Sequence, residues 1–504
     1  MRHIFLGLAF VAGPLAAQTA SPAMPAAASI TAADVAHHIG VIADDSMLGR
    51  DTPSRGLELT AAYVADQFRR FGLRPGGDSG GWLQRYRIVQ RKLDVAGSRV
   101  TLRAAGAAAV ARFDRTARYL QGTVSGLPLT GAAVLLGGRL TADEVGRLPL
   151  RGRIVVYAAD ADALPSRQAL QVGRAIRLAA PRAVVLVSTL PPDRFAARIP
   201  RSTPARTAPD FRLESPPFVE ISQAAVAPVL RAAAIDLEAV RADTAPVFRE
   251  LPGLRVTVAL RDSVFHATSA PNTIGILDGS DPVLRREYLV YSAHMDHIGI
   301  SPGRPDSVNN GADDDASGTT GVIELARAFS RPGARPKRSV IFLTVSGEEK
   351  GLWGSRYFTE HPPVSIGRIV ADLNMDMIGR NWRDTIVAIG REQSNLGETL
   401  ERVNRAHPEL RMTAVDDRWP EERFYFRSDH YNFARKGVPI LFFFNGVHPD
   451  YHQPTDSPDK IDSEKEARIL RLLYYLGREV GDAPARPQWK PESYRDIVDD
   501  PEGR

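Results

Sequence analysis

The sequence predicts an α/β protein: a mostly parallel central sheet flanked by helices, into which a second, β-rich module is inserted. Three observations lead there. From about residue 253 onward, nearly continuous apolar runs alternate with helix-patterned segments, the texture of strands buried on both faces and joined by crossovers. Between 111 and 252 the texture changes to short apolar runs broken by Gly and Pro. The chain has 504 residues, enough for two or three domains at roughly 150 residues each.

The elements follow in order. MRHIFLGLAFVAGPLAAQ at the start has one Arg, an apolar run from Ile4 to Val11 and small residues at Ala16 and Ala17. That is the pattern of a secretory signal peptide over 1–17, which places the mature protein in the periplasm or outside the cell. The run is too short to span a bilayer, which takes about 20 apolar residues, and no later segment reaches that length either. Residues 18–30 are rich in Ala, Pro and Ser and are expected to be a flexible leader.

Residues 31–110 open the main domain, with a helix over Leu57–Phe71 that stops at Gly72. Residues 111–252 form the insert, whose lack of His argues against an active site of its own. Residues 253–485 complete the main domain. Strands are expected at Tyr288–Ala293, Ser339–Val345, Ile369–Met375 and Pro439–Phe444, and helices at Ser317–Phe329, Leu396–Ala406 and Ser463–Leu476. Residues 486–504 read as a polar tail.

Composition removes whole classes of function. No Cys occurs, which excludes disulfides, Cys-ligated zinc, iron–sulfur clusters and thiol catalysis, so any metal must be held by His and carboxylates. Lys and Arg number 64 against 59 Asp and Glu, and only seven of the 64 are Lys. The Arg residues are dispersed, with no tract of the kind that grips nucleic acid.

The chemistry collects at strand ends. His294-Met-Asp296 follows the first of the four strands, and Gly311-Ala-Asp-Asp314-Asp-Ala-Ser317 opens the next helix. Glu348-Glu349 follows the second strand, Asp376 the third, and Tyr451-His452 comes soon after the fourth. Singly, each could be a cap or a turn residue. Together they lie on the carboxyl side of one sheet, where α/β proteins bind ligands. Two His and three carboxylates can hold two divalent metals, each with one His, one terminal carboxylate and a shared bridging carboxylate. One acid of the pair 348/349 is then left over to act as a base on water.

The set resembles the two-zinc aminopeptidase family, which includes bacterial secreted leucine aminopeptidases and, more distantly, glutamate carboxypeptidase. The stretches that carry it are SAHMDHIG, NNGADDDASGTTGVIELAR, SGEEKGLWGS, LNMDMIGR, SDHYNF and YHQPTD. The resemblance covers about residues 31–110 and 253–480 and implies the zinc exopeptidase fold, with two zinc ions per chain. It implies His294 and Asp376 on one zinc, Glu349 and His452 on the other, and Asp314 between them. Glu348 would take a proton from the water between the zincs, Asp296 would fix the ring of His294, and Tyr451 would hydrogen-bond the oxyanion. It also implies a cis bond between Asp314 and Asp315.

Peptides with a free amino end are the substrates so implied, and the expected activity is an exported metallopeptidase acting as an aminopeptidase. A carboxypeptidase or dipeptidase is the nearest alternative. A one-zinc glutaminyl cyclase and a non-catalytic binding protein of the same fold are more remote. The insert resembles a protease-associated domain through LRGRIVVYAADAD, AAPRAVVLVSTLPP and PPFVEISQAAVAPVL.

Other features have plain readings. GDSGG at 77–81 spells a serine-protease nucleophile motif, yet fewer than 65 mature residues precede Ser79, so a Gly-rich turn is expected. HExxH is absent, which excludes thermolysin-like chemistry. His297, His430 and His448 lie near the motifs but outside the family's zinc ligands. Trp353 and Phe424-Tyr425-Phe426 are expected in the core or the pocket wall.

Overall fold

The computed structural model describes residues 23–158, 167–199, 205–211 and 215–499. The expected signal peptide at 1–17 lies outside the described residues. The main domain is built on a sheet of ten strands, nine of them in the order 413–415, 385–389, 440–443, 369–375, 288–294, 339–345, 262–277, 83–93 and 206–209. Its four central strands, 440–443, 369–375, 288–294 and 339–345, run parallel. Every residue of 339–345 and 369–375 is buried, the reason these strands read as unbroken apolar runs.

Strand order fixes the place of the site. The chain leaves 288–294 to lay 339–345 on one side and then returns to lay 369–375 on the other. Adjacent connections therefore leave in opposite directions, opening a crevice at the carboxyl ends of these strands. His294, Glu348 and Asp376 all stand at that edge.

The helices behave as their sequences require. Arg55–Arg70 is capped by the Ser54 hydroxyl accepting from Leu57 N, and it presents Leu57, Ala61, Val64 and Phe68 to the core. Gly72, at φ +74, closes it. Gly318–Phe329 and Ser463–Asp482 pack against the sheet from the same side and share one apolar core with it.

Residues 94–261 carry a second sheet of eight strands with its own apolar core. Its members include 99–104, 107–112 and 246–259. The boundaries at 111 and 252 therefore need correction to about 94 and 261, where Asp94 N donates to Arg261 O. Strands 99–112 look locally like any other hairpin, and nothing in their alternation reveals which sheet they join. The module is not isolated, because its strand 206–209 pairs antiparallel with 83–93 and extends the main sheet.

Two further expectations change. The described part of the leader is not loose: Ala23–Ala28 is helical, and Ala26, Ala27 and Ile30 are buried in the main core. Alanine is the strongest helix former and small enough for close packing. Arg471 and Arg327 fix the segment further by donating to the carbonyls of Ile30 and Ser29. The described part of the tail is also docked, through Trp489 Nε1 donating to Gly437 O and through the buried side chain of Ile497.

Candidate metal centre

The turn between Gly311 and Gly318 sets the geometry. Gly311 has φ +55, and a Cβ there would meet Asp314 O at 2.2 Å and the His297 ring at 2.6 Å. Gly318 lies so close to the end of strand 369–375 that a Cβ would meet Met375 O at 2.4 Å. The Asp314–Asp315 bond is cis, as the resemblance implied. The turn directs Asp314 into the crevice and points the Asp315 carboxylate the other way, accepting from the main-chain N–H of His294 and Gly318.

Asp314 stands between two groups of donors. Its Oδ1 is 3.3 Å from His294 Nε2, which lies 3.6 Å from Asp376 Oδ1. Its Oδ2 is 3.1 Å from His452 Nε2, which lies 3.2 Å from Glu349 Oε2. His294, Asp314 and Asp376 are thus within common reach of one small ion, and Asp314, Glu349 and His452 of another. All five residues expected at the metals converge.

His297, which the sequence reading sets apart from the ligands, belongs to the second group. Its Nδ1 is 2.9 Å from Glu349 Oε1 and 3.7 Å from Asp314 Oδ2. Its position three residues after His294, at the end of the same strand, was the available signal.

The electrostatics fit cations. Burial disfavours a charged imidazole, yet the surrounding carboxylates push both histidines up, His294 well above its ordinary value and His452 to about 10. Burial works equally against the charge of Asp314, but His297, His294 and His452 hold its carboxyl well below the usual range. Carboxylates that draw protons onto two imidazoles call for positive charge. Imidazole nitrogen and carboxylate oxygen are the donors that suit zinc.

The remaining candidates take defined places. Asp296 is buried: its Oδ2 accepts from the Thr52 hydroxyl at 3.0 Å and its Oδ1 from Glu348 N at 3.2 Å. His294 Nδ1 lies 3.1 Å from the main-chain oxygen of Asp296 and 3.7 Å from its carboxylate. Asp296 therefore steadies both the histidine and the strand end that carries Glu348. Burial pushes the Glu348 carboxyl well above the usual range; His294 opposes the shift, and Asp429, Asp376 and Glu349 add to it. Tyr451 stacks on His452 with 3.8 Å between ring centroids. Burial, with Asp314 and Glu349 nearby, pushes its hydroxyl up, so it remains a proton donor.

A cavity opens beside these groups. Its lining combines His294, Asp314, Glu348, Asp376 and Tyr451 with the apolar side chains of Met377, Phe424, Phe442, Phe444 and Val447. His430 supports this apolar wall from behind, stacked on Phe442 and 2.7 Å from Tyr425 O. Trp353 is buried in the core, and the GDSGG stretch is an exposed turn whose Asp78 accepts from Arg85 N.

Two anchors, Arg50 and Asp456, escaped the sequence reading, and a third, His448, was noted there only as lying outside the ligands. Arg50 is fully buried and donates to the carbonyls of Met295, Asn310 and Gly311, joining the two loops that carry His294 and Asp314. Asp456 Oδ2 accepts from the N–H groups of Asp313 and Asp314. His448 Nε2 lies 3.2 Å from Asp313 Oδ2.

Residues 272–477 match the model described as Peptidase family M28. The matched segment holds all five candidate metal-binding residues. A probable leucine aminopeptidase of Arthroderma otae is 25% identical over 234 residues, covering 45% of this chain and 62% of that protein. A probable zinc metalloprotease of Pyricularia oryzae is 33% identical over 277 residues, covering 46% of this chain and 54% of that protein. The chain thus spans less than two thirds of these relatives' length. An aminopeptidase from Aneurinibacillus sp. aligns in three dimensions over 93% of this chain and 98% of its own, at 17% identity and a TM-score of 0.49.

Proposed function

We propose that the protein is an exported zinc-dependent aminopeptidase that hydrolyses the first peptide bond of substrates with a free amino terminus. The observation that carries the proposal is Asp314, whose two oxygens face two separate His-plus-carboxylate groups. His294 and Asp376 would hold one zinc, Glu349 and His452 a second, and Asp314 both, with His297 orienting Glu349. Zinc, when bound, polarises the scissile carbonyl and makes a nearby water acidic near neutral pH.

The side chains of this protein do the rest. Glu348 accepts a proton from the attacking water and returns it to the departing amine, a task suited to a carboxyl whose pKa is raised. The Tyr451 hydroxyl donates to the oxygen that gains negative charge in the tetrahedral intermediate. Carboxylates at the cavity floor attract the substrate ammonium, and the apolar wall takes its first side chain. The two relatives, a probable leucine aminopeptidase and a probable zinc metalloprotease, support the reading. So does the signal-like start of the sequence. The insert is proposed to be a protease-associated domain.

Aminoacyl anilides and their N-acetylated forms, assayed with and without chelator, test this directly. Free-amine substrates should be cleaved and acetylated ones resist, and chelation should abolish turnover until zinc is restored. Equal cleavage of acetylated substrates would contradict the aminopeptidase assignment.

A further inference from the structure

The two halves of the centre differ in the donors they offer. His294, Asp314 and Asp376 make three at one position, whereas His297, Asp314, Glu349 and His452 make four at the other. Zinc binds imidazole nitrogen and carboxylate oxygen at about 2.0–2.2 Å, so neighbouring donors around a tetrahedral ion lie about 3.3–3.6 Å apart. The three-donor group shows 3.3 and 3.6 Å. In the other group, His452 Nε2 lies 3.1 Å from Asp314 Oδ2 and 3.2 Å from Glu349 Oε2. His297 Nδ1 lies 2.9 Å from Glu349 Oε1 and 3.7 Å from Asp314 Oδ2, on either side of the same spacing. A hydrogen bond to Glu349 accounts for the shorter distance only. The longer one is out of hydrogen-bond range, yet it keeps His297 within reach of the same ion as Asp314.

The ring is held in that place. It is fully buried, and it packs on Gly311, where a Cβ would meet His297 Cδ2 at 2.6 Å. Its own main-chain N donates to Arg50 O. The His297 and His452 rings cross at 71° with 5.6 Å between centroids, so the two imidazoles come to the shared carboxylates from different directions. A donor already fixed in position loses little freedom on binding. The cavity separates the two positions further. His294, Asp314 and Asp376 all line it, whereas of the four-donor group only Asp314 does.

We infer that His297 is a direct ligand of the second zinc, beyond its hold on Glu349, so that four protein donors close this position while the first keeps one place open. Closed four-donor sites are structural, and three-donor sites with an open place are catalytic. The centre is then unequal: the second position fills first and retains its ion, and the first, beside Glu348 and the cavity, is the exchangeable one. The inference rests on the two-zinc reading and deepens it.

The test titrates the full chain, stripped of metal, with cobalt(II), whose visible absorption is much stronger in four-coordinate sites than in sites of higher coordination. One equivalent should give the strong bands of a four-coordinate ion, and the second should bind more weakly. His297→Gln has an amide that still donates to Glu349 but is a poor zinc ligand. It should shift or lose the first-equivalent bands. Its tighter zinc affinity, measured against a chelator, should fall by more than the roughly 10–100-fold typical of a residue that only steadies a ligand. Asp376→Asn should keep the first-equivalent bands and weaken the second equivalent. First-equivalent bands in His297→Gln that match the wild type would overturn the inference, leaving His297 to orient Glu349 and the two-zinc reading in place. Loss of those bands in Asp376→Asn would overturn it too, by placing the tighter ion in the other group. A wild-type chain that binds neither cobalt nor zinc would strike the zinc reading, and this inference with it.

Discussion

At the scale of single residues, the separation of Glu348 from Glu349 matters most. Neighbouring acids at the end of one strand have different surroundings: Glu349 contacts His297 and His452, whereas Glu348 faces the cavity. Glu348→Gln should therefore keep the full metal content and lose at least about 100-fold in kcat, the lower end of what a general base contributes. Metal analysis beside steady-state kinetics checks both halves; unchanged turnover would remove Glu348 from the mechanism. A second residue-scale prediction concerns His430. Burial pushes its imidazole from 6.5 down to about 3. The unfolded chain takes up a proton below about pH 6.5 that the folded one refuses until about 3, so this contribution is intact above pH 6.5 and is lost as pH falls. The urea midpoint should drop more between pH 7 and pH 5 in the wild type than in His430→Gln, which keeps a donor for Tyr425 O. Equal drops would show that His430 is not the group responsible.

At the scale of elements, two loops must be held together: the 311–317 turn with Asp314 and the 448–456 segment with His452. Asp456 joins them through Ala312 N donating to its main-chain oxygen and through the two N–H groups on its carboxylate. Asp456→Ala strands two buried donors and should cost about 2–5 kcal/mol. It should also weaken metal retention in a dialysis assay, although Asp456 is not itself among the candidate ligands. Full retention would mean that the turn holds its shape unaided. This scale also shows what sequence can and cannot reveal. Parallel strands buried on both faces must be apolar along their length, so 339–345 and 369–375 were legible to the residue, and the reactive groups at their ends with them. Arg50 was not legible, because a buried arginine is written like an exposed one, and its partners in the site lie 245 to 261 positions away. The hairpin 99–112 was not read as an element and fell across the boundary drawn at 111, since sheet membership depends on distant partners.

At the scale of the molecule, two sheets with separate cores are stitched by the long strands 83–93 and 262–277 and by the insert's strand 206–209. The reactive groups sit at the carboxyl ends of the parallel strands of the larger sheet. This arrangement exists to bring five side chains, spread from His294 to His452, around a single shared carboxylate. The most direct measurement is the zinc content of the purified, zinc-equilibrated chain beside that of Asp314→Ala. The wild type should hold close to two zinc ions per chain, and the variant should lose affinity at both positions together. A wild type that saturates at one, or a variant that binds two as tightly as before, would contradict a centre joined through Asp314.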